Sequence, residues 1–170
     1  MLNTDQASKN DCAVPKPEPI KAVLVDDDKD DQELFTEAVA DTKLPVDVTT
    51  LDSGKELLEQ LNDPTVPNPD IIFLDINMPG KNGKEVLQEI KTDDTLKDIP
   101  TVMLSTSDDK KEIQDTYNAG ANLYVKKTFS FRNLVLILKK IFSLHWAGAL
   151  FKPIRNRFFM SEGDVTKGAN

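Results

Sequence analysis

Residues 71–83 read IIFLDINMPGKNG. Four large apolar side chains, Ile71 to Leu74, follow one another without a polar break and stop at Asp75. A short unbroken apolar run predicts a strand covered on both faces, because an exposed face would show alternation. The stretch Met78-Pro79-Gly80-Lys81-Asn82-Gly83 holds turn formers and predicts a loop. Val86, Leu87 and Ile90 then recur at helical spacing. Strand, loop and helix together make one βα unit.

The same unit recurs on both sides. Ile20 opens an apolar run, Ala22 to Val25, that ends in Asp26-Asp27-Asp28, and Leu34, Phe35, Ala38 and Val39 stripe the helix after it. Val46 to Thr50 predicts a second, partly exposed strand. Ser53 suits a helix cap with Glu56 completing a capping box, and Leu57, Leu58 and Leu61 give that helix its apolar face. Prolines 64, 67 and 69 mark the loop before the central unit. After it, Thr101 to Leu104 predicts a fourth strand, ending at Ser105. Ile113 and Tyr117 mark a helix stopped by Gly120. Leu123 to Val125 predicts a short fifth strand before Lys126-Lys127, and Leu134, Val135, Leu138, Ile141 and Phe142 stripe the last helix. Strand and helix alternating five times predict an α/β, doubly wound parallel sheet with helices on both faces.

The whole chain has 170 residues and a net charge of -8, a balance that counts against a general nucleic-acid binder. One cysteine, Cys12, and one histidine, His145, exclude an intramolecular disulfide and a Cys/His metal cluster. No signal pattern opens the chain and no apolar run approaches membrane-spanning length, so the expected location is cytoplasmic, without membrane contact. Residues 1–19, with three prolines, predict a flexible tail; 20–142 form the expected domain. Residues 143–170 form an extension, aromatic at Trp146, Phe151, Phe158 and Phe159 and basic at Lys152, Arg155 and Arg157. Trp146 and Phe151 are expected to fold back on the domain, or else to dock a partner.

In parallel α/β sheets, ligands bind beyond the carboxyl ends of the strands. Asp26 and Asp27, Asp75, Ser105 and Lys127 all fall there. Any one could be an ordinary strand-end polar residue. Together they have a chemistry: carboxylates bind a hard cation such as Mg²⁺, and one carboxylate can act as nucleophile. An ammonium and a hydroxyl can hold the oxygens of a transferred phosphoryl group. Neither a Walker-type phosphate loop nor an EF-hand loop is present.

Four strings, AVLVDDD, IIFLDINMPGKNG, TVMLSTS and AGANLYVKKTF, occur in the order and spacing of a known family. Across roughly residues 20–142 the chain resembles the receiver domain of two-component response regulators. The resemblance implies a five-stranded flavodoxin-like sheet of order 2-1-3-4-5. It makes Asp75 the phosphoacceptor, with Lys127 and Ser105 as its catalytic partners. Asp26, Asp27, Asp75 and the Asn77 backbone carbonyl become the Mg²⁺ ligands, with Asp26 acting mainly through water. Ser105 and Tyr124 become the switch pair, Tyr124 turning inward on phosphorylation, and Asn77 and Ser107 tune the lifetime. One position departs from the pattern: Thr128 stands where most of the family has a proline after the lysine, often through a cis bond.

With only 28 residues after 142, the resemblance is to single-domain regulators, particularly those paired with phytochrome-type or hybrid sensor kinases. The implied partners are a sensor histidine kinase or phosphotransfer protein, with a homodimer through the helix 4–strand 5–helix 5 face. The expected protein catalyses only its own phosphorylation and slow dephosphorylation. Two alternatives stand beside it. A degenerate receiver acting as a scaffold would not need all the site residues. A Mg²⁺-dependent aspartyl phosphohydrolase would want an acid–base aspartate where Asn77 stands.

Overall fold

The computed structural model describes residues 18–144 and 157–166. Cys12, His145, Trp146 and Phe151 lie outside them, and with them the expected packing of Trp146 and Phe151. The elements alternate: β1 (Ile20–Val25), α1 (Lys29–Thr42), β2 (Val46–Leu51), α2 (Gly54–Leu61), β3 (Ile71–Asp75), α3 (Gly83–Thr92), β4 (Thr101–Ser105), α4 (Lys110–Asn118), β5 (Leu123–Lys126) and α5 (Phe131–Ser143). A further strand, β6 (Phe159–Met160), and a short helix, α6 (Glu162–Thr166), follow.

The sheet is parallel, with order β2-β1-β3-β4-β5-β6. Its first five strands keep the expected order; the sixth is an addition to it. Strand alternation sorts the core into two layers. Leu24, Phe73, Val102 and Val125 face α1 and α5, and Val25, Ile72, Leu74, Met103 and Tyr124 face the α2, α3 and α4 side. All five residues of β3 are buried, as are all five of β4, whereas β2 at the edge is half-covered. The unbroken apolar runs therefore mark the centre of the sheet and the alternating one its margin.

Local signals set the helix starts. Asp28, Ser53, Asn82, Asp109 and Ser130 each cap a helix through a side-chain oxygen that accepts backbone N–H groups. Ser53 caps α2 as expected, but Glu56 reaches the N–H of Asp52, one residue before the cap. The full capping box is at α3, between Asn82 and Glu85. Gly120, at φ +94°, takes the left-handed turn that stops α4.

β6 was not legible as a strand, and it changes one surface. The Tyr124 N–H donates to the Phe158 carbonyl at 2.8 Å, Phe158 is buried edge-on against Tyr117, and α6 packs on α5. The outer edge of β5, part of the face through which a homodimer is expected, is thus paired within the chain.

Candidate functional site

The carboxyl ends of β1, β3 and β5 are neighbours or near neighbours, so their terminal polar residues meet. Carboxylate oxygens of Asp26, Asp27 and Asp75 lie within 4.8 Å of one another. Asp26 and Asp75 are buried, and Asp27 is exposed. Lys127 Nζ is 2.7 Å from Asp26 Oδ2, 2.8 Å from Asp31 Oδ2 and 3.4 Å from Asp75 Oδ1. Lys126, the adjacent lysine, turns away to pair with Asp108 at 2.5 Å.

The electrostatics follow from this packing. Burial raises the Asp75 carboxyl above its ordinary range; the Lys127 charge offsets part of this, Asp26 adds to it, and the Asn77 N–H helps lower it. Burial also works against the Lys127 ammonium. Its hydrogen bonds to Asp26 and Asp31, with the charges of Asp75 and Asp26, outweigh that and hold it well above an ordinary lysine. Lys127 is therefore charged at any physiological pH.

The acidic trio fits a hard divalent cation, which takes oxygen ligands. Asp26 already accepts Lys127 on Oδ2 and the Asp28 N–H on Oδ1 at 3.0 Å. Asp27 makes no ion pair among the described residues, which leaves it the freest of the three to ligate. Asn77 is exposed just past the strand end.

Gly83 fixes how this end is built. Its N–H donates to the Ile76 carbonyl at 3.0 Å, and a Cβ there would run into the Asp75 carbonyl. The absence of a side chain lets the start of α3 lie directly on the end of β3.

Ser105 ends β4 as expected, but its hydroxyl donates to Glu112 Oε1 at 3.0 Å. Tyr124 is already inside in this structure. Its ring is fully buried, and its hydroxyl lies 2.6 Å from the same Glu112 oxygen and 2.9 Å from the Ser107 carbonyl. Burial and the Glu112 carboxylate together push the phenol well above its ordinary value. Burial would raise Glu112, but hydrogen bonds from Tyr124 and Ser105 and the Lys84 charge bring it below the ordinary glutamate value. Ser107 donates its N–H to Ser105 Oγ and accepts the Asp109 N–H on its own hydroxyl.

Thr128 also has a defined place. No cis peptide bond occurs among the described residues, so the Lys127–Thr128 bond is trans. The Thr128 hydroxyl bonds to the Glu162 carboxylate of α6 and accepts the Ser130 N–H at 3.0 Å. The residue that departs from the family pattern ties the site loop to the C-terminal helix.

Asp31 and Glu112 were not legible as site residues. Asp31 lies within an acidic run, where nothing singles it out. Glu112 sits three residues after a helix cap, where a glutamate reads as a capping residue.

A parallel α/β sheet with two buried carboxylates, an exposed one and a lysine gathered at its carboxyl edge holds the groups that metal-assisted phosphoryl transfer needs. The chain belongs to the response regulator receiver domain family, whose model matches residues 22–139. It is 33% identical over 135 residues to the response regulator Rcp1 of Synechocystis sp., covering 77% of this chain and 91% of Rcp1. The crystal structure of the phosphorylated cyanobacterial phytochrome response regulator RcpA is similar, at 40% identity and a TM-score of 0.67, covering 72% of this chain and 91% of RcpA. So is the Mn²⁺-bound form of Rcp1, at 31% identity and a TM-score of 0.67, covering 80% of this chain and 100% of that one. As a receiver, the chain serves phosphorelay signalling with a histidine kinase or phosphotransfer partner and is not a conventional turnover enzyme. The acidic trio and the Mn²⁺-bound relative support a divalent cation as its cofactor. No helix among the described residues is long and apolar enough to cross a membrane.

Proposed function

We propose that Asp75 accepts a phosphoryl group from a kinase phosphohistidine, with Mg²⁺ as the cation. The observation that carries this is the placement of the Asp75 carboxylate: buried, 3.4 Å from Lys127 Nζ, and grouped with Asp26 and Asp27. An Asp75 oxygen attacks phosphorus, the P–O bond forms, and the P–N bond to the histidine breaks with its electron pair returning to the imidazole. Lys127 neutralises the nucleophile and then holds a phosphoryl oxygen; Ser105 donates to another. Asp27, Asp75 and the Asn77 carbonyl would hold the Mg²⁺, with Asp26 acting through water. Bound there, the cation offsets the charge that builds between carboxylate and phosphoryl oxygens. Asn77 and Ser107, two residues beyond Asp75 and Ser105, tune the lifetime of the acyl phosphate by setting water access.

The relative RcpA, a cyanobacterial phytochrome response regulator, makes a phytochrome-class sensor kinase the first partner to try. Phe129, 98 % exposed two residues past Lys127, offers such a partner an apolar anchor beside the site. A homodimer through the α4–β5–α5 face would have to form around β6, since β6 covers the β5 edge. Incubation with a small acyl phosphate and Mg²⁺ tests the reading. Intact mass should rise by one phosphoryl group in the wild type and not in Asp75→Asn. A phosphorylated Asp75→Asn protein would defeat it.

A further inference from the structure

Among the described residues, four of the five helices that have a side-chain cap carry an acidic residue three positions after it: Asp31, Glu56, Glu85 and Glu112. Such a residue ordinarily folds back to accept a backbone N–H at the helix start. Glu85 does so at Asn82 (2.9 Å), and Glu56 does so at Asp52 (3.0 Å). The other two do not. At α4 the Asp109 N–H is taken by the Ser107 hydroxyl at 3.1 Å, and at α1 the Asp28 N–H is taken by Asp26. Glu112 and Asp31 are therefore free to reach the two donors that a phosphoryl group needs, Ser105 and Lys127.

Glu112 is the sharper case, because a serine hydroxyl has one proton and gives it to one acceptor at a time. Here that acceptor is Glu112 Oε1 at 3.0 Å, which also takes the Tyr124 hydroxyl at 2.6 Å. Its second oxygen lies 3.6 Å from Lys84 Nζ at the start of α3. One carboxylate thus joins the strand-end serine, the buried tyrosine and the helix that follows the Asp75 loop.

Building on the assignment of Asp75 as acceptor, we infer that Glu112 is a positioning residue that competes with the phosphoryl group for the Ser105 hydroxyl. In the unphosphorylated protein it parks that hydroxyl on α4. Phosphorylation of Asp75 draws the hydroxyl away and leaves Tyr124 as the only hydroxyl on Oε1. The event at the acceptor is thereby felt at α4 and β5 through a single oxygen atom. The competition lowers affinity for a bound phosphoryl group, and removing Glu112 should raise it.

The test is binding of beryllofluoride, a phosphoryl mimic, to the full chain with Mg²⁺. Wild type, Glu112→Ala, Ser105→Ala and the double variant form a cycle. A hydrogen bond to a charged group corresponds to about tenfold or more in an equilibrium constant, so Glu112→Ala should tighten beryllofluoride binding by roughly tenfold. In the Ser105→Ala background the same change should do nothing, because no hydroxyl is left to compete for. Glu112→Gln keeps the side-chain volume and should fall between, and it carries the test if Glu112→Ala folds poorly. A merely structural Glu112 would shift binding equally in both backgrounds, and that result, or no tightening in either variant, overturns the inference. Failure of the wild type to bind beryllofluoride at all would overturn the Asp75 assignment and this inference with it.

Discussion

Substituting Gly83 by alanine perturbs the site through the backbone alone. An added Cβ would meet the Asp75 carbonyl oxygen, the Asp75 carbonyl carbon at 3.0 Å and the Ile76 Cα at 2.9 Å. All three are main-chain atoms of the strand end, so no side chain can swing aside. The start of α3 must move away from the end of β3, at the expense of the 3.0 Å bond from Gly83 N–H to the Ile76 carbonyl. Overpacking of this kind costs about 1–3 kcal/mol. Alanine recovers up to about 1 kcal/mol by helix propensity, less at a first helical position. The net loss should be about 1–2 kcal/mol, a fall in melting temperature of roughly 2–8 °C for a chain of this size.

The chemical loss should be larger. The carboxylate that moves is the proposed nucleophile, and a displacement on the order of 1 Å can cost about a hundredfold in rate. A shift of a few tenths of an ångström should slow phosphorylation by a small acyl phosphate by roughly tenfold. Gly80→Ala is the control. Its φ of +76° makes a side chain there strained too, but nothing lies within 4 Å of the added atom. It should lose stability with little change in rate. Thermal melts and intact-mass time courses measure both quantities. Gly83→Ala with wild-type stability and rate would refute the reasoning.

Three further outcomes are expected. Phe158→Ala removes a ring that is 2 % exposed and edge-on to Tyr117; it should cost about 3 kcal/mol, at the low end for a core phenylalanine because β6 can undock locally, and an unchanged denaturation midpoint would show that β6 does not dock. In metal-free buffer, Asp75→Asn should be more stable than wild type near neutral pH. Burial holds the folded Asp75 carboxyl above its unfolded value of 3.8, so the stability of its neutral form is complete below that value and is lost as pH rises through the folded one; the gap between the two proteins should open as pH rises above the unfolded value and close below it, and a gap that stays constant with pH would contradict this. Asp27→Ala should weaken Mg²⁺ binding by more than about tenfold, followed by titration against a metal-sensitive spectroscopic signal, and unchanged affinity would remove Asp27 from the ligand set.

The sequence carried the sheet and one end of the site because both are written locally. Ile71–Leu74 and Thr101–Leu104 are central strands that must be apolar on both faces, and Asp75 and Ser105 are simply where those runs stop. Lys127 is assigned to the site through the string AGANLYVKKTF, while its neighbour Lys126 pairs with Asp108. What escaped was non-local. β6 has two residues, too few for periodicity, and is held by Phe158 burial and one edge of β5. Asp31 and Glu112 find their partners 96 and 7 residues away along the chain. Their positions after a cap suggest only local capping. Thr128 looked like a loss of the family's proline, and its tie to Glu162 is visible only when α6 is placed beside the loop.

The most direct test of Asp75 as the acceptor is chemical trapping. The protein is phosphorylated by a phosphohistidine kinase, the acyl phosphate is reduced with borohydride, and peptides are mapped by mass spectrometry. Reduction converts an aspartyl phosphate into homoserine at the modified position. Homoserine at position 75 and nowhere else is the expected result. Homoserine at 26 or 27, or phosphate retained on Ser105 or Ser107, would contradict the account.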